Sequence, residues 1–226
     1  MSMPVFVLRP EPGLSATMRR GIAMGLAMEA MPLSHAEPLD WDMPGGRFDG
    51  ILLGSANGLR HAGEAIARHT DLPVYAVGQA TAEKARALGF TVAQVGSGGL
   101  QPLVDSLPDD RAFTFLRLAG AEHVPLDLPP HVSITTRTTY RIVHASLENA
   151  QVARLAQGGV VLLHSGAVAA HFARECDRAG LDRASLALAA LAPRIARSVS
   201  DGWKSVELAA SPDDGALLSL VKDMRH

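Results

Sequence analysis

The sequence predicts an α/β protein whose parallel sheets are covered by helices on both faces, laid out as two similar lobes. Two observations carry this. Along the 226 residues, short apolar runs end in turns of small residues and then give way to helical periodicity. The unit also recurs. In Phe48–Ala67, FDGILLGSANGLRHAGEAIA, the apolar Gly50–Leu53 leads into Gly54-Ser55-Ala56-Asn57. In Gly158–Ala173, GGVVLLHSGAVAAHFA, Val160–Leu163 leads into a turn where Ser165 holds the place of Ser55. Strands alternating with helices of this length make parallel sheets buried on both sides.

In order, Pro4–Leu8 reads as a strand closed by Arg9-Pro10, since proline stops ladder pairing. Leu14, Met18, Ile22, Leu26 and Ala30 recur at four-residue steps, predicting an amphipathic helix over Leu14–Met31 that Pro32 ends. Leu33–Leu39 reads as an extended connector and Asp40–Arg47 as a turn. A helix is predicted over Ala56–His69, a strand at Val74–Val77, a helix over Ala82–Leu88 with Gly89 as its C-cap, and a strand at Phe90–Val95. Gly96-Ser97-Gly98-Gly99 then leads into a helix over Leu100–Leu107. Ala112–Leu116 is a strand ending at Arg117, and His131–Thr136 and Thr139–Val143 are extended. The last third alternates again: strands at Val160–Leu163, Ser185–Leu191 and Trp203–Ala209, helices over Ala167–Ala179, Pro193–Ser200 and Gly215–Met224.

The repetition extends beyond the serine turns. Val74–Gly89 corresponds to Ala187–Gly202, Val92–Leu107 to Val206–Leu220, and the strand ending Leu8-Arg9 to that ending Leu116-Arg117. The first of that last pair opens the chain, whereas the second closes the middle block. This predicts one lobe from residues 1–34 and 142–226, another from residues 40–136, and interlobe linkers at residues 35–39 and 137–141.

Composition excludes several function classes. A net charge of −2 favours neither nucleic acid nor a membrane surface as partner. One cysteine, Cys176, rules out an internal disulfide and a thiolate metal site. The start, MSMPVFVLRPEPG, lacks a signal-peptide pattern, and no apolar run is long enough to span a bilayer, so a cytoplasmic protein is expected. No two histidines stand three or four residues apart as in a helical metal site; His61 and His69 are eight apart, His164 and His171 seven. The glycine-rich Gly96–Gly99 lacks a P-loop lysine, and Gly54–Asn57 lacks the second glycine of a nucleophile elbow.

In an open parallel sheet, ligands sit outside the carboxyl ends of the strands. Here those ends are Arg9, Ser55–Asn57, Gly78–Thr81, Gly96–Gly99, Arg117–Gly120, Ser165–Gly166, Ala192 and Ser211–Asp214. Small residues there expose helix N-terminal N–H groups, which favour a carboxylate- or phosphate-bearing ligand. Each serine or threonine also reads, singly, as a plain helix N-cap. Tyr140, one of two tyrosines, lies in the predicted second linker, where a phenol can donate into a cleft or pack within a strand.

The order and spacing of these segments resemble the uroporphyrinogen-III synthase family. The likeness runs over nearly the whole length, through FDGILLGSANGLRH, VYAVGQATAEKARALGF, FLRLAG, TTYRIV, VVLLHSG and ELAASPDDGALLSLV. It implies two flavodoxin-like lobes joined by a two-stranded linker, with a cofactor-free active site. The implied substrate is the linear tetrapyrrole hydroxymethylbilane, handed over by hydroxymethylbilane synthase. The implied reaction, that of a carbon–oxygen lyase, loses water through an azafulvene cation and a spiro intermediate, inverts ring D and closes the macrocycle. Its product feeds haem, sirohaem, cobalamin or chlorophyll biosynthesis. By position, Tyr140 matches a tyrosine assisting departure of the hydroxyl. Ser55, Thr81 and Ser165, and also Arg9, match contacts to the acetate and propionate arms, with Ala56, Gly78, Gly166 and Ala192 completing the candidate substrate-binding set. The chain departs from the family at ALAPRIARS, where the second lobe lacks a counterpart of Thr81, so contacts on that side are expected from backbone N–H groups near Ala192 or from elsewhere in the lobe. A monomer without nucleic-acid or membrane partners is expected. The competing readings are a non-catalytic two-lobed binding protein and an inactive synthase paralogue.

Overall fold

The structure, a computed structural model, describes residues 3–224; the outermost two positions at each end of the predicted first lobe lie outside the described residues. The first elements are β1 (Pro4–Val7), α1 (Gly13–Ala23), β2 (Ala27–Ala30), β3 (Ser34–Pro38) and β4 (Gly50–Leu53). Next come α2 (Ala56–Arg60), α3 (Gly63–Ala67), β5 (Val74–Val77), α4 (Gln79–Ala87), β6 (Val92–Gly96) and α5 (Leu100–Asp105). Two long strands follow, β7 (Phe113–Gly120) and β8 (Val132–His144), then α6 (Asn149–Leu155), β9 (Gly159–Leu163) and α7 (Gly166–Arg178). The chain closes with β10 (Leu186–Ala190), α8 (Pro193–Ala196), β11 (Ser205–Leu208) and α9 (Asp214–Asp223).

These elements form two compact units, one taking the chain up to His35 and from Val143 onward, the other Ala36–Ile142. The first holds a sheet in the order β11-β10-β9-β1-β2, and the second a sheet in the order β3-β8-β7-β4-β5-β6. The chain passes from one unit to the other within β3 and again near the end of β8.

Strand periodicity explains each unit's two cores. In the first, Phe6, Val161, Leu163 and Leu188 face one side with Phe172 of α7, while Val5, Val7, Val160 and Leu162 face the other with Leu14 of α1 and Leu217 of α9. In the second, Ile51, Leu53, Leu116 and Leu118 pack under α2–α4, and Leu52, Phe113 and Phe115 pack on Leu100, Leu103 and Val104 of α5. The central strands β1, β4, β7, β9 and β10 are buried on both faces, as their near-continuous apolar runs require.

Several predicted elements are redrawn. The helix expected over Leu14–Met31 ends at Ala23, and β2 takes up its last residues. Gly25 adopts φ +76°, and the N–H groups of Gly25 and Leu26 donate to the carbonyls of Ile22 and Gly21, which closes the helix as a Schellman motif. The four-residue recurrence continues past this point only because Leu26 is buried in its own right. The helix expected over Ala56–His69 is two short helices, broken before Gly63 at φ +61°. The helix α6, unforeseen in the sequence, is set by a capping box between Glu148 and Gln151.

The most consequential change concerns β7 and β8. The strand expected to end at Arg117 continues to Gly120, and the two extended pieces after it are one strand. A bulge lets Ala119 face Thr138 but Gly120 face Tyr140, leaving Thr139 as the extra residue. Thr139 is buried, its Oγ1 donating to the Gly58 carbonyl at 3.0 Å. The predicted equivalence of Arg9 and Arg117 also shifts. Val7 pairs with Leu162 three residues before Ser165, whereas Arg117 pairs with Leu52 three residues before Ser55. The counterpart of Arg117 is therefore Val7, and Arg9 stands two residues further on, beyond the end of its strand.

Candidate functional site

In the second unit a pocket of about 350 Å³ opens at the carboxyl ends of β4 and β7. Gly54 and Ser55 line it from β4, Gly98–Gln101 from the turn into α5, Arg117–Gly120 from β7, Glu122–Leu126 from the following loop, and Tyr140 from β8. Topology explains the opening. In the first unit the parallel strands β1 and β2 are joined through α1, which packs Leu14 on the sheet. In the second, the parallel strands β7 and β8 are joined by residues 121–131 with no helix. The sheet face above β7 is therefore capped by a loop rather than by a helix. That loop is tied down by paired bonds of 2.8 Å between the Gln101 amide and the backbone of Asp127.

Tyr140 and Ser55, placed far apart in sequence, meet at this pocket. The tyrosine ring lies against Gly120, where any Cβ would come 2.8 Å from Cζ, and it also lies 5.7 Å from the His61 ring. Burial, with Arg60 adding like charge, holds the His61 imidazole below its ordinary pKa, so it is neutral near pH 7. Ser55 is the N-cap of α2, and its hydroxyl accepts from the Asn57 N–H at 3.3 Å. It is thus first a helix cap. Ala56, the first residue of α2, and Gly78 and Thr81 at the start of α4 do not line the pocket. Thr81 lies inside the helix rather than before it, 6% exposed.

The remaining predicted residues belong to the first unit. Ser165 caps α7 with no side-chain bond, and Gly166 opens that helix under Ser198, whose Oγ would be 2.7 Å from a Cβ there. Ala192 caps the four-residue α8, ahead of Pro193 at the first turn. Arg9 is not left to an external anion: its Nη1 lies 3.1 Å from Oδ1 of Asp214 and 3.3 Å from Oγ1 of Thr17. The same carboxylate takes the Thr17 hydroxyl at 2.6 Å and lies 2.9 Å from His164 Nε2. Burial alone would raise the Asp214 carboxyl. The bonds from His164 and Thr17, with the charge of Arg9, outweigh it and hold the pKa at about 2.

Sequence reasoning passed over Asp214 and His164 as individuals, because nothing in the spacing of residues 9, 17, 164 and 214 says that they converge. Arg117 had a signal, a lone cation in the alternating apolar run FTFLRLAG. Among the described residues no cluster of three or more His, Cys, Asp or Glu is placed to hold a metal. No helix among them is long and apolar enough to cross a membrane.

Comparison with known proteins follows the same lines. The family model HEM4, Uroporphyrinogen-III synthase HemD, matches residues 23–219. No curated protein sequence matches the chain. Among solved structures, the chain is similar to uroporphyrinogen-III synthetase from Helicobacter pylori, with 14% identity, a TM-score of 0.67 and 100% of both chains covered. It is also similar to a mutant uroporphyrinogen III synthase from Thermus thermophilus, with 14% identity, a TM-score of 0.53 and 98% of each chain covered. At these identities the likeness is one of fold.

Proposed function

The chain belongs to the uroporphyrinogen-III synthase family, and from that premise we propose that it converts hydroxymethylbilane to uroporphyrinogen III through the pocket that holds Tyr140. The observation that carries the activity is the family match over residues 23–219. In the reaction, the C–O bond of the hydroxymethyl group breaks and its oxygen leaves as water. Ring D is inverted through the spiro intermediate, and a new C–C bond closes the macrocycle with loss of a proton from the ring attacked.

Tyr140 acts in the first step, giving a hydrogen bond to the departing hydroxyl. Its place on the pocket wall, held against Gly120 by the bulge, supports that role. Such assistance contributes up to about 10²–10⁴-fold. The larger task is to hold a flexible chain in the conformation that closes after inversion, because the linear substrate closes unaided to the uninverted isomer. Positioning is therefore the main contribution of the protein. Ser55, Ala56, Gly78 and Thr81 in one unit, and Ser165, Gly166 and Ala192 in the other, serve the substrate's carboxylate arms in this reading, while Arg9, matched to the same task by the resemblance, is taken up by Asp214. The enzyme works as a cytoplasmic monomer that takes its substrate from hydroxymethylbilane synthase.

The test is incubation with fresh hydroxymethylbilane followed by separation of the porphyrin isomers after oxidation. Type III product is expected. Type I alone, at the rate of the unaided reaction, would overturn the reading.

A further inference from the structure

The pocket of the second unit contains a cation that the fold does not need. Position 117 lies on the sheet face that carries Phe113 and Phe115, beside Leu52 on β4 and Thr136 on β8. The alternation calls for an apolar residue there. A guanidinium stands in its place, only 7% exposed, and Arg117 is the one cation in the buried set among the described residues. An unpaired charge is among the least favourable things to bury.

No carboxylate among the described residues pairs with it. Nη2 donates to the Val124 carbonyl at 2.9 Å, and the buried Nε has no partner among the described residues. Burial correspondingly depresses the Arg117 pKa. Arg183 also has an orphaned Nε, but its Nη2 lies 2.7 Å from Asp177. Arg9, where the sequence expected an anion contact, already holds Asp214. Glu122 lines the Arg117 pocket as well, but it is exposed on the covering loop and makes no ion pair with Arg117.

We propose that this pocket is a carboxylate subsite, in which the buried Arg117 guanidinium receives one acetate or propionate arm of the substrate. The identity of the acid rests on the synthase reading above; the preference for a carboxylate does not. A carboxylate matches the planar fork of arginine, can accept two parallel bonds from it, and brings the counter-charge that the Val124 carbonyl lacks. The incoming acid therefore takes the place of the Val124 carbonyl, gives Nε a partner and releases the covering loop at that point. At about 350 Å³ the pocket is at the small end of ligand sites and suits one arm with part of its pyrrole rather than a whole tetrapyrrole.

The test has two arms. In the first, the Nε–Hε resonance of Arg117, assigned by its loss in Arg117→Lys, is followed by NMR in the wild-type protein during titration with propionate and, separately, propionamide. A saturable shift with propionate and none with propionamide is expected. No shift, or equal shifts with both, would overturn the subsite. In the second, steady-state kinetics of type III formation compare wild type with Arg117→Met and Arg117→Lys. The KM is expected to rise about 10- to 100-fold in Arg117→Met with kcat little changed, and less in Arg117→Lys. An unchanged KM in a folded Arg117→Met protein, or an equal fall in kcat, would mean that Arg117 only ties down the loop. Failure of the synthase reading shows elsewhere, as type I product from the wild type, and leaves the propionate result standing.

Discussion

Tyr140 reaches the pocket through a single-residue irregularity: the bulge at Thr139 sets it opposite Gly120. Its hydroxyl makes no hydrogen bond among the described residues. Tyr140→Phe is therefore expected to change the melting temperature little while lowering kcat for type III product, by up to about 10²–10⁴-fold, through loss of the hydrogen bond to the departing hydroxyl. Unchanged kcat would assign the whole effect to positioning. A second residue-scale expectation concerns acid. Glu175, 7% exposed, takes bonds from Arg178 at 2.7 Å and from the Leu147 N–H at 2.7 Å. The Arg178 bond leads in lowering its pKa to about 2, against the opposing pull of burial. A carboxyl depressed in the folded state stabilises fully above its ordinary pKa, and that stability is lost as pH falls from about 4.5 toward 2. Glu175→Gln should reduce stability on the order of 2 kcal/mol at neutral pH and flatten the loss between those values. Denaturant titrations at pH 7 and pH 3 would show it, and an equal loss at both would contradict it.

At the scale of elements, the pocket owes its existence to a crossover that lacks a helix. Where α1 joins β1 to β2, an equivalent span from β7 to β8 is a loop, so the face above Arg117 is covered by that loop and not by a packed helix. Gly120 is the hinge of this arrangement in a steric sense, because an added Cβ would meet the Tyr140 ring at 2.8 Å. Gly120→Ala should push the ring out of place, lowering kcat at least as far as Tyr140→Phe does. Its melting temperature should fall by only a few degrees, since Gly120 is the last residue of β7 and belongs to none of the hydrophobic cores. Activity equal to wild type would show that the ring position does not matter. The elements also explain which predictions erred. Helix periodicity carried through Gly25 because Leu26 fell at the next expected step, although a glycine at φ +76° had already turned the chain.

For the whole molecule, each unit carries its own pair of cores, and each unit holds one of the two tryptophans. Trp203 stacks on Phe172 with ring centroids 5.7 Å apart in the first unit, and Trp41 packs in the second with its Nε1 donating to the Ala62 carbonyl at 3.0 Å. Single-tryptophan variants, Trp41→Phe and Trp203→Phe, thus report the two units separately. Glu175→Gln, which belongs to the first unit, is expected to move the denaturation midpoint read by Trp203 more than that read by Trp41. Equal shifts would mean that the two units unfold as one.

The sequence by itself determined the α/β class, the alternation of strands and helices, the serine turns and the family, because these rest on local periodicity and on the order of segments along the chain. Gly50–Leu53 and Val74–Val77 could be read residue for residue from apolar runs bounded by turns. The tertiary structure alone decided which of the candidate residues share a surface. Ser55 and Tyr140 meet through the β4–β7–β8 order of the sheet, and Arg9 is consumed by an aspartate 205 positions away. Arg117 moved from a strand end to a buried site because the length of β7 depends on its neighbours' hydrogen bonds, which no local pattern of residues 113–120 contains.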